Sequence, residues 1–600
     1  MRTAYCTILA IAAVSLALGG FGFQKALILQ KIDEQGLRRV KDNGFDGAEV
    51  HLHGETPAEA AEAKALADRL GVKIHSAMAN GWYAFDDDAK YDAALAQAKT
   101  DIALAKVYGV DTMLVVAGAH RRPERRYDRL TADEQAKLDA ATRRAFAELV
   151  PLAEKAGVCL ALEFVWNNAW SDPDEYVAFV RSFRSPWVKI YLDLGNVLKF
   201  APLEKWISAT AGEIRRVHVK DFMIDPSTPR GGEFVPIATG DIDFAKARAC
   251  LRNAGYDGWV TIESSGWSDA EHARLMDWFF AGAPEGDALG NWTFDLPVDR
   301  KGRARNELAG WLGIEKTAAG FSSRCLWRTS SPWRTPRTEV CGGAVRIVRL
   351  HDGRKAMGEC DYDLVRGRVV GDELFAAAIP RRKDGSAGQG RPTAFCARRL
   401  PPIGAAPKLS ALVYGEKVDL LKDGLAGWEQ MNAGLRNGWT FADGVLSNTV
   451  EYDSNGKRKG GYSNIVSKRA DFFDFKLSYD VKMPKDGNSG VYLRGIYEIQ
   501  SRESYGMAPD CHNMGAYYGR ATPRVAAEKP ADEWQHVDVV LAGRHLWVWL
   551  NDVEIITAFP VEGITGGALS SDEFSPGPIY IQGDHSNASY RNMVLTKIVR

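Results

Sequence analysis

The sequence predicts a multidomain chain of three folded segments in series. These are an α/β barrel of eight β-α units, a small antiparallel β-domain, and a C-terminal all-β jelly-roll sandwich. Three observations carry this. From about Phe23 to Ala283, short apolar runs alternate with helix-like stretches. Four of those runs end in a side chain that binds metals: Glu163, Asp193, His218 and Glu263. From Val418 to Arg600, helical patterning nearly vanishes, and short strands alternate with Gly, Asn, Asp and Pro turns. A chain of 600 residues is also too long for one hydrophobic core.

Positions 1–20 read as a secretory signal peptide. Met1-Arg2 is a short positive start, Thr7 to Leu18 is a small apolar run, and Ala17-Leu18-Gly19 offers small residues for cleavage. The run is too short for a stable membrane anchor, and Cys6 precedes it, misplaced for lipid attachment. The expected location is therefore exported, periplasmic or extracellular, with no stable membrane insertion. A net charge of -1 gives no argument for nucleic acid. Eight cysteines without a Cys-x-x-Cys pair argue against a zinc ribbon or a thioredoxin-like site. Export would permit disulfides among Cys325, Cys341, Cys360 and Cys396, whereas Cys159 and Cys250 read as buried thiols.

The barrel is assigned to 21–285. Its strand candidates are Ala26–Leu29, Gly47–Leu52, Val72–Ala77, Thr112–Ala117, Val158–Val165, Val188–Leu194, Ile214–Lys220 and Gly258–Glu263, with helix-like stretches such as Pro57–Leu70 between them. A polar residue at one strand end is an ordinary cap. Two glutamates, an aspartate and a histidine at the ends of consecutive parallel strands converge on one mouth, as an oxygen-rich divalent-metal site with one imidazole. Removing a proton beside a carbonyl needs a positioned base and a cation that stabilises the developing oxygen charge. Two carboxylates on opposite faces of such a carbon would give epimerisation; loss of a neighbouring leaving group would give β-elimination.

The motifs Asn43-Gly-Phe-Asp-Gly-Ala-Glu49, Glu163-x-x-Trp-Asn-Asn168, Leu192-Asp-Leu-Gly-Asn196, Arg216-Val-His-Val-Lys-Asp221, Phe234-Val-Pro, Gly240-Asp241 and Gly255-Tyr-Asp-Gly-Trp-Val-Thr-Ile-Glu263 occur in that order. With them the segment resembles the xylose-isomerase-like sugar phosphate isomerase/epimerase family. The resemblance implies a TIM barrel holding one divalent ion through Glu163, Asp193, His218 and Glu263. Manganese is the first expectation, with Mg2+, Co2+ and Zn2+ as alternatives. It also implies that Glu163 and Glu263 exchange a proton with the carbon beside a sugar carbonyl. Glu49, His75, Trp166 and Lys220 are expected to line the substrate pocket, with Trp82 as a second stacking candidate. Asn196 stands where some relatives carry a histidine that touches substrate.

A small antiparallel β-domain is expected over 286–400, from short strands such as Ala344-Val-Arg-Ile-Val-Arg-Leu and Leu374–Ile379. It reads as a spacer or accessory domain, and its scattered arginines read as a solvated face. Residues 401–417, opening on Pro401-Pro402, read as a stiff linker.

The segment 418–600 carries Leu420-Leu-Lys-Asp-Gly-Leu-Ala-Gly-Trp428, Asn488-Ser-Gly-Val-Tyr-Leu-Arg-Gly-x-Tyr-Glu-Ile-Gln500, Glu533-Trp-Gln-His536, Val548-Trp-Leu-Asn-Asp552 and Gly577-Pro-Ile-Tyr-Ile-Gln-Gly-Asp-His585. It resembles the 3-keto-disaccharide hydrolase domain, which implies a concanavalin-like sandwich that cleaves glycosides oxidised to a ketone at sugar carbon 3. On its concave face Arg494, Glu498 and Gln500 are expected to alternate onto one side of a strand, joined by Gln582 and His585. Glu498 or His585 is the candidate base. The resulting expectation is an exported enzyme acting on small keto-sugars or glycosides, supplied by an upstream sugar 3-oxidoreductase. The alternative is a metal-dependent sugar isomerase/epimerase whose sandwich is a non-catalytic carbohydrate-binding module. Export, and the lack of a phosphate-cradling Gly-rich loop, argue against a phosphorylated substrate.

Overall fold

The computed structural model describes residues 22–118, 129–166, 168–282, 285–297, 305–351, 361–455 and 458–599. The expected signal peptide, Cys6 and Cys360 lie outside the described residues. The chain divides into two compact units, Met1–Pro284 and Glu285–Arg600. Among the described residues no helix is long and apolar enough to cross a membrane.

In the first unit the strands are β1 (Gln24–Leu29), β2 (Gly47–His51), β3 (Lys73–Met78), β4 (Thr112–Val115), β5 (Cys159–Glu163), β6 (Val188–Asp193), β7 (Ile214–Val219), β8 (Asp221–Ile224), β9 (Gly232–Val235) and β10 (Trp259–Ile262). Eight of them close into a parallel barrel in the order β1-β10-β7-β6-β5-β4-β3-β2. Each of the eight apolar runs in the sequence supplies one barrel strand. The antiparallel hairpin of β8 and β9 is additional, inserted after β7.

Helices return the chain between strands, and their starts are written locally. Thr56, Thr131 and Ser268 form reciprocal capping boxes with Glu59, Glu134 and Glu271. A parallel barrel whose helices all run back on the outside brings every strand's C-terminal end to the same mouth. Gly47 is required by close packing of β2 on its neighbours. A Cβ there would lie 2.4 Å from the Lys73 carbonyl oxygen and 2.7 Å from the Trp259 ring.

The second unit is entirely of strands and short turns of 3-10 helix among its described residues. Its first sheet contains β11 (Gly290–Asp295), β12 (Ala309–Thr317), β13 (Gly320–Trp327), β14 (Trp333–Arg334), β15 (Arg337–Cys341), β16 (Ala344–Leu350), β17 (Tyr362–Val370), β18 (Glu373–Arg381) and β19 (Thr393–Arg399). They lie antiparallel in the order β14-β13-β12-β11-β19-β18-β17-β16-β15. The two ends of this sheet meet. Thr335 N donates to the Ser323 carbonyl, and Ser323 Oγ lies 2.8 Å from Thr338 Oγ1 on β15. The sheet therefore curls into a small barrel around Trp292, Phe294, Leu312, Ile347 and Phe395.

Two further sheets form the sandwich. One runs Trp439–Ala442, Val445–Asn448, Ala588–Val599, Phe475–Lys482, Trp534–Ala542, His545–Leu550 and Val553–Pro560. Val413–Asp419 also pairs with Ala588–Val599, so the end of the expected linker is a strand of this sheet. The other sheet runs Trp428–Gln430, Ile465–Ser467, Tyr580–Ile581, Asn488–Leu493 and Tyr497–Arg502. Ala309, Trp311, Leu326 and Leu400 of the small barrel belong to the same buried cluster as the sandwich core. The small barrel is thus packed into the sandwich rather than standing apart as a spacer. Cys325, Cys341 and Cys396 are free thiols, as are Cys159 and Cys250, so the permitted disulfides do not form among them. Cys159 is buried and Cys250 is only partly so.

Candidate active sites in the barrel and the sandwich

At the barrel mouth Glu163 is the last residue of β5 and Asp193 the last of β6. His218 is the penultimate residue of β7, in register with Asp193, and Glu263 follows β10 directly. The four side chains each present one ligand atom, and these atoms lie within 4.8 Å of one another. His218 Nδ1 is 3.6 Å from Glu163 Oε1, 3.2 Å from Glu263 Oε2 and 4.0 Å from Asp193 Oδ2. Asp193 Oδ2 and His218 Nδ1 are buried and make no directed hydrogen bond, each with an ion-pair neighbour at 3.2 Å, Lys220 Nζ and Glu263 Oε2 respectively. Three carboxylates and an imidazole, with two buried atoms that lack a directed hydrogen bond turned to one space, fit a hard divalent cation.

The surroundings of the two glutamates differ. Glu163 is 5% exposed and accepts a hydrogen bond from Asn196 Nδ2 at 3.1 Å. Burial pushes its carboxyl up, with His218 opposing. The Glu263 side chain is 35% exposed and pairs with Lys220 Nζ at 2.8 Å. Burial would raise it, but Lys220 and His218 together hold it below the usual carboxylate range. Lys220 also lies 3.2 Å from Asp193 Oδ2. Burial pushes Asp193 up to about 8, against the pull of Lys220. Asp193 Oδ1 accepts from Asn196 N at 2.7 Å, capping the short helix Leu194–Val197.

Two expected pocket residues lie beneath the pocket instead. Glu49 is fully buried behind His218, where its Oε2 sits 3.0 Å from His218 Nε2 and accepts from the Tyr191 hydroxyl at 2.5 Å. His75 is buried, stacked on Trp259 at 4.4 Å and within 3.0 Å of Thr261 Oγ1, and burial keeps its ring neutral, well below its ordinary value. Each is the third residue of its strand, so further strand residues separate it from the mouth. Glu49 is placed to hold the His218 ring so that Nδ1 faces the cluster, as carboxylates behind metal-bound histidines do. Glu49→Gln is therefore expected to weaken divalent-metal affinity about 10- to 100-fold, read by calorimetric titration of the metal-free protein. Unchanged affinity would show that Glu49 is only a core residue.

Trp166 does reach the mouth. Its Nε1 donates to the Asn196 carbonyl at 2.7 Å, and its ring stacks on Phe234 of the β8–β9 hairpin at 5.2 Å. Lys199 Nζ lies 4.0 Å from the Trp166 ring and Arg230 Cζ 4.8 Å from it. The sequence reading missed Tyr191, Phe234, Lys199 and Arg230. Only Phe234 fell in a noted motif. Trp82 packs half-buried against Leu114, Val116 and Tyr191, within the apolar lining of the barrel.

In the sandwich, Glu498 and Gln500 lie on one strand and point away from the sandwich core, opposite to Ile499. Arg494 is not on that strand. It sits in the turn before it with φ 55, and its guanidinium donates to the Ser575 carbonyl at 2.7 Å. Glu498 is 3% exposed, and its Oε2 lies 2.8 Å from the Tyr492 hydroxyl. Burial pushes its carboxyl up to about 8, with Tyr492 opposing and Asp584 adding to the rise. Tyr492 stacks on Tyr580 at 4.2 Å, and Asn464 Nδ2 donates to the Tyr580 hydroxyl. His585 is exposed and pairs with Asp584 at 2.7 Å, so Asp584 is the member of that pair whose charge reaches Glu498. Gln582 meets the neighbouring strand through its backbone, N to the Gly490 carbonyl at 3.0 Å. Gln500 Oε1 accepts from Ser501 N. Tyr492 and Tyr580 stood inside quoted motifs, but nothing local marked them as partners of Glu498.

The xylose isomerase-like TIM barrel family model matches residues 37–281. The 3-keto-alpha-glucoside-1,2-lyase-like domain model matches residues 418–596. L-ribulose-5-phosphate 3-epimerase UlaE of Salmonella paratyphi C (strain RKS4594) is 26% identical over 277 residues, 43% of this chain and 92% of that protein. A xylose isomerase domain protein from Planctomyces limnophilus is 18% identical, over 44% of this chain and 99% of that chain, with a TM-score of 0.37. A putative glycosyl hydrolase from Parabacteroides distasonis ATCC 8503 is 22% identical, over 30% of this chain and 100% of that chain, with a TM-score of 0.24.

Proposed function

We propose that this chain, a xylose isomerase-like TIM barrel joined to a 3-keto-alpha-glucoside-1,2-lyase-like domain, is a carbohydrate enzyme with two sites for keto-sugar chemistry. The barrel abstracts a proton beside a carbonyl. The sandwich cleaves 3-keto-glycosides. The observation that supports the barrel reading most is the convergence of Glu163, Asp193, His218 and Glu263 with unlike surroundings for the two glutamates.

Glu163, Asp193, His218 and Glu263 would hold a divalent ion, which would supply Lewis-acid stabilisation of the oxygen on which charge develops. The residues do the rest. Glu263 is the more exposed carboxylate, and Lys220 favours its ionised form, which suits it to take the proton. Glu163, buried and held by Asn196, is suited to return a proton, either to the opposite face of the sugar carbon or to a departing oxygen. Trp166 and Phe234 offer an aromatic wall to a sugar face.

In a 3-keto-glycoside the ketone acidifies the proton on carbon 2, and its loss expels the aglycone from carbon 1. In the sandwich, Glu498 is the proposed base. A sugar 3-oxidoreductase has to supply the ketone.

The test is turnover of a 3-keto-glucoside by the full chain, with and without chelator, compared with Glu163→Gln and Glu498→Gln. Cleavage that survives chelator and Glu163→Gln but not Glu498→Gln assigns the step to the sandwich. Cleavage lost with chelator and retained in Glu498→Gln assigns it to the barrel and leaves the sandwich to bind. No turnover of any keto-glycoside overturns the proposal.

A further inference from the structure

We propose that the small barrel of 286–400 is a positioning element of the sandwich site, acting through Asp295 and Thr293 on the 563–575 loop that supplies a hydrogen-bond partner to Tyr492. This rests on the reading that Glu498 takes part in the sandwich reaction.

The loop is held from two sides. On the small-barrel side, Ser571 N and Ser571 Oγ each donate to Asp295 at 3.0 Å, and Thr293 Oγ1 donates to the Ser571 carbonyl at 3.0 Å. Gly567 N donates to the Arg328 carbonyl at 3.1 Å. The fit is close: a Cβ on Gly566 would lie 2.4 Å from the Ser330 carbonyl oxygen, and one on Gly563 would enter the Trp311 ring. On the sandwich side, Thr565 N donates to the Ile496 carbonyl, and Thr565 Oγ1 accepts from Glu498 N at 2.9 Å. Leu569 N donates to the Gly495 carbonyl.

Between these holds lies the Tyr492 hydroxyl, 2.8 Å from Glu498 Oε2 and 2.8 Å from the Gly566 carbonyl oxygen. A phenol has one proton to give. If it goes to Gly566, the Glu498 oxygen meets the phenol favourably only as a donor, in its neutral form. If it goes to Glu498, the ionised form gains a charge-assisted hydrogen bond. The position of the loop therefore biases the ionisation of Glu498. Among the described residues the other titratable groups facing that carboxyl are Tyr580, Asp584 and Tyr590, and none belongs to the loop. Asp295 and Thr293 touch no proposed reacting atom, so they are positioning residues.

The experiment uses the full chain and a 3-keto-glucoside. Asp295→Ala is expected to leave KM nearly unchanged and to lower kcat roughly ten- to a hundredfold. It should also move the acidic limb of the pH profile down by about one unit, because Tyr492, no longer shared between Gly566 and Glu498, donates to Glu498 alone. Asp295→Asn, which keeps an acceptor for Ser571, should restore most of both. In a Tyr492→Phe background, Asp295→Ala should move the limb no further. The infrared carboxyl band that Glu498→Gln removes, followed against pH, reads the same shift without turnover. If Asp295→Ala lowers only the melting temperature and leaves that band's titration unmoved, the inference is overturned. If the band shifts as expected while Glu498→Gln retains full activity, the loop's hold on Glu498 ionisation stands and the catalytic reading of Glu498 fails, and the positioning role in catalysis fails with it.

Discussion

Glu263→Gln is expected to abolish exchange of the sugar's acidic proton with solvent in the barrel, lowering turnover about 10²- to 10⁴-fold. Glutamine keeps the shape and an oxygen to face the cluster but cannot accept a proton. Glu263 is the carboxylate most open to substrate, and Lys220 at 2.8 Å favours its charge. The measurement is deuterium incorporation from heavy water into a keto-sugar, followed by NMR in protein loaded with divalent metal. Exchange is a better readout than product, because it precedes both epimerisation and elimination. Undiminished exchange would remove Glu263 as the base. Exchange lost together with metal binding would make it a ligand first, and calorimetric titration of the same variant separates the two.

Glu498→Gln is expected to abolish cleavage of 3-keto-glycosides by the sandwich and to change how stability depends on pH. Burial pushes the Glu498 carboxyl up to about 8. The folded state therefore keeps its proton over a range in which the unfolded chain has lost it. Linkage gives the sign: stability from this group is whole below the ordinary carboxylate range, falls as pH rises from there to about 8, and levels off above. Glutamine does not titrate. The variant should gain on the wild type steadily across that window and exceed it by several degrees in melting temperature near pH 8. Thermal unfolding of both proteins from pH 5 to 9 checks this. Parallel curves would mean that Glu498 ionises in the folded protein as it does in water. In activity the sign is reversed: if ionised Glu498 is the base, cleavage rises with pH toward about 8.

The sequence by itself determined the barrel and its acids. Strands buried on both faces read as unbroken apolar runs, so a carboxylate at the end of one stands out. Glu163, Asp193, His218 and Glu263 were legible for that reason, because each sits at or next to a strand's last residue. The helical stretch read over Pro57–Leu70 was legible too, and it is a helix with those bounds. Depth was not. Glu49 and His75 look like the ligands in sequence, but further strand residues separate them from the mouth, and one layer of a barrel divides a pocket wall from a support. Arg494 shows the same limit. Its alternation with Glu498 assumed one continuous strand, whereas Gly495 at φ 72 marks a turn between two. The packing of Trp311 into the sandwich core, and the hold of Asp295 on Ser571, were decided only by tertiary structure. They join positions hundreds of residues apart, and no local period or propensity encodes which outer face of a small barrel is covered.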